Sequence, residues 1–345
     1  GFTVDADGRK MSKSLGNVIQ PQKVTKNLGA DIIRLWVAAT DYRAEMSVSD
    51  EILKRMADAY RRIRNTSRFL LANLFDFDPV KNAVAVDDMV ELDRWAVARA
   101  QALQQEIEAA YRDYNFHLIY QKILQFCVVD MGGFYLDVIK DRQYTTKTDS
   151  LPRRSCQTAI HHIMEAMVRW LAPILSFTAH EAWQHIPGQR SESVFLETWY
   201  GGLFGLEGRG ELTEADWQRI LEARGAVSQR LEGMRKDGDI GSSLDAEVTL
   251  YCDGELHGSL EKLGDELRFV LITSYASLKH LAERSDSATD SELDGLVIEA
   301  IASKHEKCVR CWHHREDVGS HADHPELCDR CVENVDGEGE IRRYG

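Results

Sequence analysis

The sequence predicts a mainly α protein: an antiparallel helical bundle, then a small α+β module, then a carboxy-terminal knuckle built on four cysteines. Three observations carry this reading. Long stretches between residues 50 and 171 repeat apolar residues at helical spacing. Ala246-Glu247-Val248-Thr249-Leu250-Tyr251 alternates like a strand. Cys308, Cys311, Cys328 and Cys331 form two C-x2-C pairs separated by sixteen residues, the spacing of structural zinc sites.

With 345 residues the chain is long enough for two or three domains with cores of their own. Its 43% hydrophobic and 28% charged content is that of an ordinary soluble globular protein. No apolar run approaches the roughly 20 residues that span a bilayer, and no signal peptide is visible, so a cytoplasmic protein without a membrane partner is expected. The chain lacks an initiator Met and opens in loop-like sequence, so a piece of a longer protein is also expected. Lys and Arg number 42 against 56 Asp and Glu, a formal charge of -14. That balance excludes indiscriminate binding to nucleic acid and leaves room for local basic patches.

Near the start, Asp5-Ala6-Asp7-Gly8 reads as a turn. It leads into Lys10-Met11-Ser12-Lys13-Ser14, whose two ammonium groups and two hydroxyls can converge on one anion, such as a triphosphate. Taken by composition alone, a solvated Lys/Ser loop is the competing reading. Ala30 to Ala39 fits a short helix. Asp50 to Leu74 fits a long one, capped by Ser49 or Asp50, with Ile52, Leu53, Met56, Tyr60, Ile63, Leu70, Leu71 and Leu74 on its apolar face. Six cations on that helix face three carboxylates, a local excess of +3. Arg61, Arg64 and Arg68 share one side with Asn65 beside them, which suits either a solvated face or contact with RNA phosphates.

Residues 75 to 88 read as a connection. Helices are expected over Met89 to Tyr114, Phe116 to Asp141 and Pro152 to Leu171, with Asn115 placed to cap the second. The first buries Leu92, Trp95, Leu103, Ile107, Ala110 and Tyr114. Gly132-Gly133 costs helix propensity and would permit close helix packing. Thr178 to Glu181 has capping-box spacing for a short helix through Trp183. Lys140 and Arg142 are better candidates for RNA contact than for catalysis, and His117 reads as structural. Turn formers from Pro187 to Gly210 close the bundle. A polar helix over Thr213 to Lys236, the strand 246 to 251, a helix over 260 to 267, a second strand over Phe269 to Ile272, and a solvated loop over 283 to 292 complete the α+β module.

The four paired cysteines can place four thiolates on one metal, one zinc per chain, in a closed tetrahedron with no open position for chemistry. Unpaired thiols and an iron-sulfur cluster are the alternatives, and a histidine from the intervening loop could replace one thiolate. Arg310 and Trp312 flank a ligand, so their backbone is fixed. Arg310 then offers a guanidinium contact, while Trp312 either stacks on a base or forms the core of the knuckle.

Lys10 to Ser14 matches letter for letter the KMSKS signature of class I aminoacyl-tRNA synthetases. The segments Gly29-Ala30-Asp31-Ile32-Ile33-Arg34-Leu35-Trp36 and Asp41-Tyr42 resemble the stretch downstream of that loop in the isoleucyl, valyl and leucyl branch. Tyr60 to Thr66 resembles the start of the helical anticodon-binding domain. The carboxy-terminal Cys-x-Arg-Cys-Trp zinc module is similar to that of bacterial isoleucyl-tRNA synthetases. The resemblance implies that Lys10 and Lys13 bind ATP, held with Mg, and act in catalysis, and that Ser12 and Ser14 shape the ATP-binding loop. It implies activation of isoleucine and its transfer to tRNA. Arg61, Arg64, Asn65, Arg68, Arg310 and Trp312 would be the RNA contacts. The domains expected are residues 1–45 with the KMSKS loop, 46–190 for anticodon binding, 191–300 as linker and small module, and 301–345 as the zinc module, in a monomer. No His-x-Gly-His signature occurs in the sequence, so this chain alone is expected to be inactive. A free-standing, non-catalytic tRNA-binding zinc protein is the competing hypothesis.

Overall fold

In the computed structural model, which describes all 345 residues, the chain is mainly α, as predicted, and divides into two compact units. The first comprises residues 1–83, 96–137 and 157–205, and the second residues 84–95, 138–156 and 206–345.

In the first unit, the two-residue strands β1 (Thr3–Val4) and β2 (Met46–Ser47) pair in parallel, and α1 (Pro21–Leu28) and α2 (Ala30–Ala39) lie between them in sequence. Helix α3 (Asp50–Ala72) starts at Ser49, whose hydroxyl accepts from the Ile52 amide at 3.2 Å, the expected N-cap. Most of α4 (Glu91–Arg112), α5 (Phe116–Gln125), most of α7 (Leu151–Leu171) and α8 (Ser176–Trp183) complete the bundle. In its core Phe126 meets fully buried Trp170 edge-on at 5.7 Å, and the Trp170 indole donates to Gln104 Oε1 at 3.0 Å.

Four local expectations fail here for physical reasons. Tyr114 does not extend the buried stripe of α4: it takes φ 58°, ends the helix and is exposed. Asn115 sits at the N-cap of α5 without a side-chain cap bond. Gly132 and Gly133 do not admit a neighbouring helix. They lie in a π-helical stretch, Phe126–Tyr135, where a Cβ would press on the chain's own carbonyls, Cys127 O at 3.1 Å and Val128 O at 3.3 Å. Thr178 lies inside α8, and its hydroxyl turns outward to Asp31 Oδ2 (2.6 Å) and Tyr60 Oη (2.9 Å). Buried Asp31 also accepts the Thr178 amide at 2.8 Å, so a distant carboxylate serves the start of α8.

The second unit contains most of α6 (Leu136–Thr145) and the helix α9 (Glu214–Asp237). Helix α9 opens with a capping box between Thr213 and Asp216 and packs against α10 (Gly254–Glu261) and α11 (Leu267–Leu271). Strands β3 (Ala246–Tyr251), β4 (Tyr275–Lys279), β5 (Thr289–Asp290) and β6 (Val297–Ala302) form one sheet in the order β4-β3-β6-β5. β3 runs parallel to β4 and antiparallel to β6, with Val248 opposite Ala276 and Ala300. The strand expected at Phe269 to Ile272 is the helix α11 instead, and the helix expected over 260 to 267 divides between the end of α10 and a tight turn. Leu267, Phe269, Val270 and Leu271 are all buried, and a short, uniformly apolar run carries no period from which to tell strand from helix. α12 (Asp329–Val335) comes directly after Cys328.

Arg142 is not an RNA contact. It is fully buried, and its guanidinium forms a two-pronged pair with Asp93 at 2.7 and 2.8 Å, to which Ser155 also donates at 2.5 Å. Cys127, Cys156 and Cys252 are buried free thiols, pushed up by burial to about 12, 12 and 11, and therefore inert.

Candidate functional site

The Lys10–Ser14 loop is held by short-range hydrogen bonds. Asn17 is its anchor: Oδ1 accepts the Ser12 amide at 2.9 Å, and Nδ2 donates to Asp5 Oδ2 at 2.8 Å. Asp5 Oδ1 takes the amides of Asp7 and Arg9, closing the expected turn. The hydrogen bond from Asn17, and after it that from the Arg9 amide, holds the Asp5 carboxyl below its usual range. The Ser12 hydroxyl caps a single turn, Lys13–Leu15, by accepting the Leu15 amide, and lies 3.1 Å from the Ser14 hydroxyl. The two serines thus shape the loop backbone. Lys10 and Lys13 differ: the Lys10 ammonium sits 4.1 Å from the Phe2 ring centroid, whereas Lys13 is exposed and has no side-chain partner.

On α3, Arg61 is paired with Asp58 at 2.7 Å in an exposed contact worth little energy. Arg64 is half-buried and Arg68 and Asn65 are exposed; none of the three is committed to another side chain. Two of the three arginines therefore remain available to an outside anion.

The four cysteines meet. Their Sγ atoms lie within 4.8 Å of one another and all four residues are buried. The Cys311 and Cys328 sulfurs are 3.7 Å apart, too far for a disulfide. A tetrahedral zinc with bonds of about 2.3 Å sets its sulfurs about 3.8 Å apart, so the donor set fits that ion. Its electrostatics also call for a cation. Four thiolates at this spacing repel one another too strongly to coexist without a positive charge among them. No histidine joins the set. His314 contacts the His305 carbonyl and Asp245, His321 contacts Asp329, His324 contacts Asp336, and His313 packs edge-on against Phe269.

The contacts that hold the knuckle were not visible in the sequence. Arg330, between the second pair of cysteines, binds Asp141 of α6 through both nitrogens, at 2.6 and 2.8 Å. Arg342 reaches the same carboxylate at 2.6 Å, and Glu340 closes the ring by accepting from Arg330 at 3.2 Å and Arg342 at 2.9 Å. Arg342 stacks on Phe269. Burial alone would raise the Asp141 carboxyl, but the charge and hydrogen bonds of Arg330, with Arg342, hold it well below the ordinary range. Nothing in the local sequence pointed to Asp141.

Arg310 and Trp312 flank Cys311. Arg310 is exposed, and its Nη2 donates to the Thr145 carbonyl at 3.1 Å. Trp312 is 62% exposed, which rules out its reading as the core of the knuckle. It also takes φ 66°, a left-handed conformation that disfavours bulky side chains, while its amide bonds the Cys308 carbonyl at 2.9 Å. Neither packing nor backbone preference accounts for a tryptophan here, and such an outlier points toward function.

Three family models match separate parts of the chain. Residues 1–49 match the family model "tRNA synthetases class I (I, L, M and V)", residues 93–250 match "Anticodon-binding domain of tRNA ligase", and residues 306–334 match "Zinc finger found in FPG and IleRS". Isoleucine–tRNA ligases of Methylococcus capsulatus (strain Bath) and Nitrosococcus oceani are each 63% identical to the whole of this chain, and that of Alkalilimnicola ehrlichii is 62% identical. The chain spans 37% of the length of each of these relatives. With all three models in register and this identity sustained from one end of the chain to the other, the protein belongs to the isoleucine–tRNA ligase family, of which it carries the anticodon-binding and zinc-finger region.

Proposed function

We propose that this chain is the tRNA-presenting portion of an enzyme that activates isoleucine with ATP and transfers it to its tRNA. The observation that carries the reading is Trp312, exposed and strained beside a four-cysteine centre, with the Arg310 guanidinium two residues away. Residues 1–45 are read as the KMSKS segment of the catalytic domain, 46–190 as the anticodon-binding bundle, 191–300 as linker and small module, and 301–345 as the zinc module. Zinc, held by Cys308, Cys311, Cys328 and Cys331, supplies rigidity only, since four thiolates leave it no open position.

In this reading Lys13, the unpaired lysine, carries the larger share of charge stabilisation on the ATP phosphates. Lys10 assists, and Mg accompanies ATP in the parent enzyme. Ser12 and Ser14 hold the loop through their hydroxyls. Arg64, Arg68 and Asn65, with Arg61 once it leaves Asp58, meet tRNA phosphates, and Arg310 and Trp312 meet unpaired bases. No helix of the chain is long and apolar enough to cross a membrane, and a cytoplasmic monomer is the form proposed.

The test is a filter-binding titration of the zinc-loaded chain with an isoleucine tRNA transcript, run across a salt series. Retention that weakens steeply with salt is the expected result. Absence of retention at low salt would sink the reading. In the same preparation, ATP–pyrophosphate exchange with isoleucine should be undetectable.

A further inference from the structure

We infer that Phe2 is a positioning residue for the reaction with ATP: its ring holds the Lys10 ammonium as a fixed charge and leaves Lys13 as the mobile one. The inference rests on the proposed activation of isoleucine with ATP, and assigns a task to a residue outside the Lys10–Ser14 loop.

Backbone register brings Phe2 and Lys10 together. Val4 pairs antiparallel with Lys10, the Met11 amide donates to the Thr3 carbonyl at 3.3 Å, and the Asp5 amide donates to the Arg9 carbonyl at 2.9 Å. The chain doubles back through Gly8, at φ 76°, and so sets Lys10 beside β1. β2 holds β1 in turn: the Met46 amide donates to the Phe2 carbonyl at 2.9 Å and the Val48 amide to the Val4 carbonyl at 3.0 Å. Asn17 Nδ2 adds a bond to the Lys10 carbonyl at 3.4 Å. Lys10 is therefore tied down through its backbone, and its ammonium lies 4.1 Å from the centroid of the Phe2 ring. Lys13 stands instead in the single turn that buries nothing. Core packing does not account for the Phe2 ring, which is 60% exposed.

A ring suits this task better than a carboxylate. Both attract an ammonium, but a carboxylate would neutralise the charge and repel an incoming triphosphate, whereas the ring's quadrupole holds the cation and brings no net charge. An ammonium carries three N–H donors and the ring occupies one side of it, so phosphate oxygens still find donors. A lysine already held loses less rotamer freedom when ATP arrives than one free in water. That advantage is present in the bound ground state, so it falls on the affinity for ATP. Charge that develops later in the reaction is left to Lys13.

Two measurements test the assignment. In the 345-residue chain labelled with carbon-13 at lysine, the Lys10 ε-methylene resonance, assigned by its loss in Lys10→Met, should lie upfield of the other lysines through the Phe2 ring current. It should return to the ordinary position in Phe2→Leu and stay upfield in Phe2→Tyr. In the full-length ligase carrying this chain, ATP–pyrophosphate exchange with isoleucine should show KM for ATP raised about threefold to fivefold in Phe2→Leu, with the loss falling on KM rather than kcat, and recovery in Phe2→Tyr. In a Lys10→Met background Phe2→Leu should have no further effect, since the ring acts through that ammonium. The same penalty with and without Lys10, a loss confined to kcat, failure of Phe2→Tyr to recover, or a wild-type Lys10 resonance that is not upfield would overturn the inference and spare the ATP reading of the loop. Undiminished exchange in both Lys10→Met and Lys13→Met would overturn that reading and the inference with it.

Discussion

The loop at Lys10–Ser14 and the knuckle at Cys308–Cys331 both carry exposed cations, yet they are built in opposite ways. The first has no buried residue in its single turn and depends on hydrogen bonds from Asn17 and Asp5 near solvent. The second has four buried thiols and a ring of largely buried ion pairs. The difference matches the tasks proposed for them. A group that tracks charge developing in a reaction benefits from a loop that can adjust, whereas a surface that recognises bases loses affinity whenever it must be ordered first.

Zinc removal is the largest blow to this contrast. Structural zinc contributes on the order of 10 kcal/mol to the folding of such modules. Chelation should therefore abolish amide protection across residues 306–334 and leave residues 10–17 exchanging as before, as read by hydrogen exchange. Comparable changes in both loops would break the distinction.

Next in size is Asp141→Asn. It leaves Arg330 and Arg342 without their charge partner, and loss of one member of a buried pair costs about 3–5 kcal/mol. A shift of the urea midpoint below that expected for about 1 kcal/mol would show that the ring does not hold the knuckle.

Asp216→Asn sharpens the comparison outside the knuckle, at about 2 kcal/mol. Burial pushes the Asp216 carboxyl up, but hydrogen bonds from Lys262, Thr213 and Ser259 outweigh this and hold it well below the ordinary range. A carboxyl lowered in the folded state adds stability that is complete above its unfolded value, near pH 4, and is lost as pH falls toward the folded value. The variant should show a shallower loss of stability on the acid side. An unchanged acid slope would remove Asp216 from the account.

The parts of the molecule legible in the sequence were those governed by local rules. Helical periodicity located the long helices, Ser49 marked the start of α3, and the spacing of the cysteines located a buried cluster that has the expected members. Long-range pairing was not legible. Asp141 with Arg330 lies 189 positions apart and Asp31 with Thr178 lies 147 apart, and no window of sequence joins them. Arg142 failed as a surface candidate for the same reason, because its partner Asp93 is 49 positions away. Phe269 to Leu271 failed as a strand because burial on all sides erases the period. The exposure of Trp312 was left open by spacing alone, since the cysteine positions fix its backbone and say nothing of which way the ring faces.

The most direct test of the account is Trp312→Gly. At φ 66° glycine is unstrained, so the variant should hold zinc and resist urea as well as wild type, or better by about 1 kcal/mol. In the same variant, affinity for an isoleucine tRNA should fall by about fivefold or more, the loss of one stacked base. Undiminished tRNA binding in a folded, zinc-loaded Trp312→Gly protein would contradict the claim that this strained, exposed ring is there to meet RNA.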